Sequence, residues 1–269
     1  MIRSFFGCRF LVFFCTAMIL WSCKTVPISN RKQVNLLPES MLIEMSLTNY
    51  DQFLKENKLS SDKSQTEKIN NVGSRISSAA IEFMKQNGLE KNVADFRWQY
   101  KLVENDVPNA WCMPGGKIVF YTGILPYTQN EAGIAVVMGH EVAHAVARHG
   151  NERMSQGLIA QMGGLALSVA LNEKPEETKQ LFLAAYGVGA SIGILLPYSR
   201  VHEYEADRIG LVIMSMAGYD PGEAVNFWER MSKMSKNSTP EYLSTHPSDA
   251  NRIAEIKKFL PEAYKYYKK

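Results

Sequence analysis

Two histidines four residues apart, His140 and His144, bracket Glu141 in the run His140-Glu141-Val142-Ala143-His144. On a helix, residues i and i+4 share a face one turn apart. Both imidazoles can therefore reach a single metal ion while Glu141 stands beside its open coordination position. This suits hydrolysis, in which a metal polarises a carbonyl and a carboxylate takes a proton from the attacking water. Two ligands are one short of a catalytic zinc site, which normally holds three protein ligands and a water. The run Ser199-Arg200-Val201-His202-Glu203-Tyr204-Glu205-Ala206-Asp207 supplies the third. Glu203 and Asp207 fall on one face of an expected helix. Glu203 completes a His-His-Glu shell for one zinc per chain, and Asp207 can accept a hydrogen bond from the distal nitrogen of a ligating histidine and fix its tautomer. Glu205 points elsewhere on that helix, and His149 and His202 have the wrong phase for the same metal, so they read as structural or surface residues.

Helices must hold these residues. Thr128 and Glu131 have capping-box spacing, so a helix can start there and run through His149 to Gly150. Apolar residues at three-and-four spacing predict further helices over 39–57, 66–86, 151–171, 176–196, 199–217, 221–233 and 248–259. Between them, Phe96, Trp98, Tyr100 and Leu102 alternate with polar residues as a strand does, and 117–122 is a second β-rich run after the Pro114-Gly115-Gly116 turn. The expected fold class is α+β, mainly α, with one small sheet beside a buried helix. Residues 109–122 can present an edge strand on which an extended peptide lies by strand addition. Cys112, in that segment, reads as a packing residue.

Composition is ordinary for a globular chain: 269 residues, 46% hydrophobic and 21% charged. With 30 basic and 27 acidic residues spread evenly, the chain lacks the concentrated basic face that binding nucleic acid requires, and that class is excluded. The first 22 residues carry Arg3 and Arg9, no acid, and an apolar stretch of about a dozen residues that ends at Ser22-Cys23. That stretch is too short to span a bilayer, which takes roughly 20 residues, and the pattern reads as an export signal. The small Ser22 before Cys23 predicts a lipoprotein: residues 1–22 removed, Cys23 lipidated, 23–38 a polar tether and 39–269 the catalytic domain. Of the four cysteines only Cys112 would then remain free, so no internal disulfide is available to the mature chain.

The motif His140 to His144, the Ser-Arg-x-x-Glu-x-Glu-Ala-Asp-x-x-Gly run over 199–210, the segment 109–123, and Thr245-His246-Pro247 with Arg252 together resemble the zinc metallopeptidase family of HtpX and the CAAX prenyl endopeptidases. The most similar branch is that of soluble periplasmic lipoproteins such as BepA and LoiP. The resemblance covers roughly residues 26–260. It implies a zincin-type, gluzincin-like domain, with His140, His144 and Glu203 as zinc ligands, Glu141 as general base and acid, and Asp207 as the partner of a ligand. It also implies a role for His246 near the metal, either donating to the scissile carbonyl or filling the open coordination position in a latent state. The donor role is favoured here, and Arg252 is expected to hold the His246 loop.

The resulting expectation is a periplasmic zinc endopeptidase, anchored by lipid to a membrane, the outer one favoured. Its substrates would be unfolded or misassembled envelope polypeptides, and no C-terminal repeat domain is expected. The rival is a chaperone-like quality-control lipoprotein with latent proteolysis. The apolar stretches 158–171 and 181–196 are short for membrane spans and read as helices over the active-site cleft, with 195–199 as a plug. Oligomeric state is left open.

Overall fold

The computed structural model describes residues 23–268 other than 173, 175, 191–195, 235–241, 243–245 and 247–249. The expected signal segment, Thr245, Pro247 and the start of the expected plug at Leu195 lie outside the described residues. The fold is mainly helical with small sheets, as expected. The chain forms two compact units: one joins the residues up to Pro38 with Gly150–Tyr198, the other Glu39–His149 with Ser199–Lys269.

In the first unit the segment expected as a tether carries a hairpin. Strands β1 (Cys23–Thr25) and β2 (Lys32–Val34) pair antiparallel, with Cys23 opposite Val34. The Arg31 guanidinium donates to both oxygens of the buried Glu152 at 2.7 Å, the Leu36 amide donates to Ser155 Oγ at 2.8 Å, and Asn151 Nδ2 donates to the Leu37 carbonyl at 2.9 Å. These bonds tie residues 31–37 to the start of the helix His149–Ala170. Polar composition alone does not keep a segment free when a later helix offers a buried carboxylate as its partner.

The second unit holds the candidate site. Helices α1 (Glu39–Glu56) and α2 (Lys63–Gln86) precede three strands: β3 (Gln99–Val103), β4 (Ala110–Met113) and β5 (Lys117–Tyr121). The order is β3-β5-β4, with β3 parallel and β4 antiparallel to β5. Ile118, Val119 and Phe120 of the central strand are fully buried, which suits a strand covered on both faces. Gly115 and Gly116, at φ +86° and +80°, make the turn from β4 to β5 in the left-handed region that favours glycine. The short helix α3 (Leu125–Thr128) leads into α4 (Glu131–Val146). Next in the chain come α5 (His149–Ala170), from Gly150 on part of the first unit, and α6 (Glu176–Ala190), also of the first unit; α7 (Leu196–Met216), from Ser199 on, α8 (Glu223–Met234) and α9 (Ala250–Ala263) return to the second. Among the described residues no helix is long and apolar enough to cross a membrane.

Helix α4 is buried along nearly its whole length, as an apolar helix without a polar face must be. It starts two residues later than capping-box spacing suggests. Asn130, not Thr128, is the cap, its side chain accepting from the Gly133 amide at 2.8 Å. Asn is as good a cap as Ser or Asp because its carbonyl satisfies an orphan amide of the first turn. It also ends earlier, at Val146, because Arg148 takes φ +59° and breaks the helix before His149. Helix α7 crosses α4 at glycines: a Cβ on Gly210 would stand 2.9 Å from the Gly139 carbonyl carbon and the His140 amide nitrogen. The two backbones touch there, which sets the acids of α7 against the histidines of α4.

Candidate metal centre

His140 and His144 project from one face of α4 with their Nε2 atoms 3.1 Å apart. Glu203 of α7 reaches both: Oε2 lies 3.3 Å from His140 Nε2 and Oε1 lies 3.4 Å from His144 Nε2. Donors held at about 2.0–2.1 Å from a tetrahedral zinc are roughly 3.3–3.4 Å from one another, so the three protein groups stand at the spacing such an ion requires. A fourth donor closes the set. His246 Nδ1 is 3.1 Å from His140 Nε2 and 3.0 Å from Glu203 Oε2, and these four residues offer ligand atoms within 4.8 Å of one another. Two imidazoles, a carboxylate and a third imidazole make a borderline nitrogen and oxygen set that fits zinc.

Behind the donors lies a ring of buried partners. His140 Nδ1 donates to Asp207 Oδ1 at 3.0 Å. Arg252 donates through Nε to Asp207 Oδ2 at 2.7 Å and through Nη2 to Asp207 Oδ1 at 2.8 Å, with its guanidinium 3.8 Å above the Trp228 ring centre. The same guanidinium stands 3.2 Å from Glu203 Oε2 and donates to the His246 carbonyl at 3.2 Å. Glu141 is buried, accepts from the Tyr242 hydroxyl at 3.1 Å, and has His246 Nε2 3.4 Å away. His144 Nδ1 faces His149 Nδ1 at 2.9 Å, and His149 Nε2 lies 3.1 Å from Glu205 Oε2.

The electrostatics separate the two helix histidines. Burial opposes charge on His140, but hydrogen bonds to Asp207 and Glu203 outweigh it and raise its pKa to about 9. Burial holds His144 well below the ordinary histidine value despite Glu203, with the charge on His140 adding to the effect. Burial alone would raise Glu203 and Asp207. The neighbouring histidines hold the first well below the usual carboxylate range, and Arg252 with His140 lowers the second. Both acids are therefore anionic beside one proton, which a divalent cation displaces on binding.

A model of the family described as Peptidase family M48 matches residues 66–260. The chain belongs to that family. Its relatives include the mitochondrial metalloendopeptidase OMA1 of Schizosaccharomyces pombe, 32% identical over 243 residues, which are 88% of this chain and 66% of that protein. OMA1 of Saccharomyces cerevisiae is 35% identical over 74% of this chain and 57% of its own length. The beta-barrel assembly-enhancing protease of Escherichia coli is 28% identical over 74% of this chain and 39% of that protein. The chain thus spans less than two thirds of the length of these relatives. The sequence expectation placed the chain in the branch of soluble periplasmic lipoproteins such as BepA and LoiP. Of these three relatives, the two mitochondrial ones have the higher identities.

Within this M48 domain the structure brings together all the residues the sequence singled out for chemistry: His140, Glu141, His144, Glu203, Asp207 and His246. His246 stands at the fourth corner of the donor set. Arg252 donates to the His246 carbonyl and also grips Asp207. Of the segment 109–122 expected as an edge strand, β4 is an outer strand of its sheet among the described residues and packs beside α4, whereas β5 is the central strand. The Cys112 thiol is pushed well up by burial and by the charge of Glu141, so it stays protonated and inert, as a packing residue does. Three residues were missed: Tyr242, His149 and Glu205. Tyr242 lies about a hundred residues from Glu141 and carries no motif. His149 falls outside the phase argument because α4 breaks before it, and Glu205 does point away from the donors, onto His149.

Proposed function

We propose that this chain is a zinc-dependent endopeptidase of the bacterial cell envelope that cleaves unfolded or misassembled polypeptides, held to a membrane, the outer one favoured, through lipid on Cys23. The observation that carries the reading is the tetrahedral spacing of His140, His144 and Glu203 with Glu141 buried beside them. Zinc in that set would supply a Lewis acid for the peptide carbonyl and the attacking water. An extended substrate pairs its backbone with β4, which tolerates many sequences because main-chain groups make most of the bonds. Glu141 takes the proton from water and returns it to the leaving amine. Tyr242 holds the Glu141 carboxylate in place through its hydroxyl. His246 must leave the fourth corner before substrate enters, which favours a resting state of low activity and keeps the quality-control reading with latent proteolysis as the second choice.

Glu141→Gln tests the enzyme reading. Zinc content should stay at one per chain while cleavage of an unfolded protein such as reduced casein falls by about 10²- to 10⁴-fold, the usual weight of a general base. Undiminished cleavage by Glu141→Gln would remove Glu141 from the chemistry.

A further inference from the structure

The sequence reads His149 as a structural or surface residue, yet its ring meets a ligand of the proposed metal. In an unbroken helix, a residue five positions after His144 lies about 140° round the cylinder and cannot touch it. Here α4 stops at Val146, and Arg148, at φ +59°, turns the chain back. The Arg148 side chain holds that turn against Asp95 at 3.3 Å and Glu39 at 3.5 Å. His149 begins the next helix fully buried, its ring stacked on His202 with centres 4.4 Å apart.

Resting on the zinc reading, we propose that His149 and Glu205 are positioning residues for His144, forming a relay from Glu205 through His149 to the ligating imidazole. Hydrogen-bond chemistry sets the direction. Two Nδ1 atoms 2.9 Å apart share one proton. His144 directs Nε2 at the donor cluster, so that nitrogen keeps its lone pair for the metal and Nδ1 carries the proton. His149 therefore accepts at Nδ1, which leaves its own proton on Nε2, where Glu205 Oε2 receives it at 3.1 Å. Helix α7 then serves the site three times: Glu203 as a ligand, Asp207 behind His140, and Glu205 behind His144 with His149 interposed. The relay fixes the tautomer and ring angle of His144, the service Asp207 gives His140 directly.

Zinc affinity of the full chain, measured by competition with a fluorescent chelator at fixed pH, tests the relay. His149→Phe keeps a ring for His202 but has no acceptor, and zinc binding should weaken roughly 10- to 100-fold, the usual cost of losing such a partner. His149→Asn places an acceptor oxygen near the position of Nδ1, and affinity should return to within a few-fold of wild type. Equal weakening in both variants would reduce His149 to packing, and unchanged affinity in His149→Phe would overturn the relay. A two-bond proton–nitrogen NMR spectrum of the zinc-loaded wild type needs no variant: it should show His149 as the Nε2–H tautomer, and the Nδ1–H form would refute the proposal. If the wild type binds no zinc, the metal reading itself fails, and the relay with it.

Discussion

Arg252 and Asp207 meet edge to edge, Nε on Oδ2 at 2.7 Å and Nη2 on Oδ1 at 2.8 Å, and Asp207 Oδ1 also accepts a hydrogen bond from His140 Nδ1. One buried guanidinium thus orients a proposed ligand through an acid, while it also faces Glu203 and anchors the His246 carbonyl. A planar fork can do this where a point charge cannot, because two parallel donors fix the carboxylate plane.

Arg252→Lys keeps the charge and loses the fork. Breaking the pairing of a buried charge is costly, so urea denaturation should show a loss of about 3 kcal/mol. Zinc affinity should drop along with it, since Asp207 is then free to turn. Unchanged stability and zinc binding in this variant would mean that the pairing is incidental.

His246→Ala should retain zinc on its three remaining ligands and raise basal cleavage of reduced casein, because the capping imidazole is gone. A fall of roughly 10²- to 10³-fold would instead assign His246 to the oxyanion. These outcomes differ in sign, so a single rate measurement separates them.

The metal-free protein should lose stability as pH rises from 6.5 to 9. His140 titrates at about 9 when folded and at 6.5 otherwise, so its contribution is complete below 6.5 and is lost as pH passes through the folded value. The size is at most about 3 kcal/mol at roughly 1.36 kcal/mol per pKa unit. Below 6.5 the trend reverses: His144, whose folded pKa is depressed, favours the unfolded chain once that chain can take up its proton. Urea midpoints in EDTA across pH 5 to 10 should therefore peak near 6.5, and saturating zinc should abolish the alkaline decline. A flat profile in EDTA would contradict the raised His140.

Cys23→Ser should yield a longer, unprocessed chain, because acylation of the cysteine precedes signal removal in the lipoprotein reading. Fractionation with gel mobility checks this. A mutant as short and as membrane-bound as the wild type would exclude lipid at Cys23.

Local spacing made the core of the site legible. His140 and His144 share a face because a helix turns 100° per residue, and the same rule placed Glu203 and Asp207 together on α7. Motif-level resemblance added His246 and Arg252. The parallel pairing of β3 with β5 was less accessible, since β4 intervenes in the chain yet lies on the far side of β5.

The residues of this chain specify the donors and their periodicity, and those follow from steps of three or four positions. The tertiary structure alone decides which acid stands behind which histidine. The contact of Gly139 with Gly210 sets the approach of α7, the left-handed Arg148 carries His149 back to His144, and Tyr242, about a hundred residues on, meets Glu141. Helical phase propagates along one element only. Once a helix breaks or a partner comes from a hundred residues away, position depends on the whole course of the backbone, which packing of the assembled core determines.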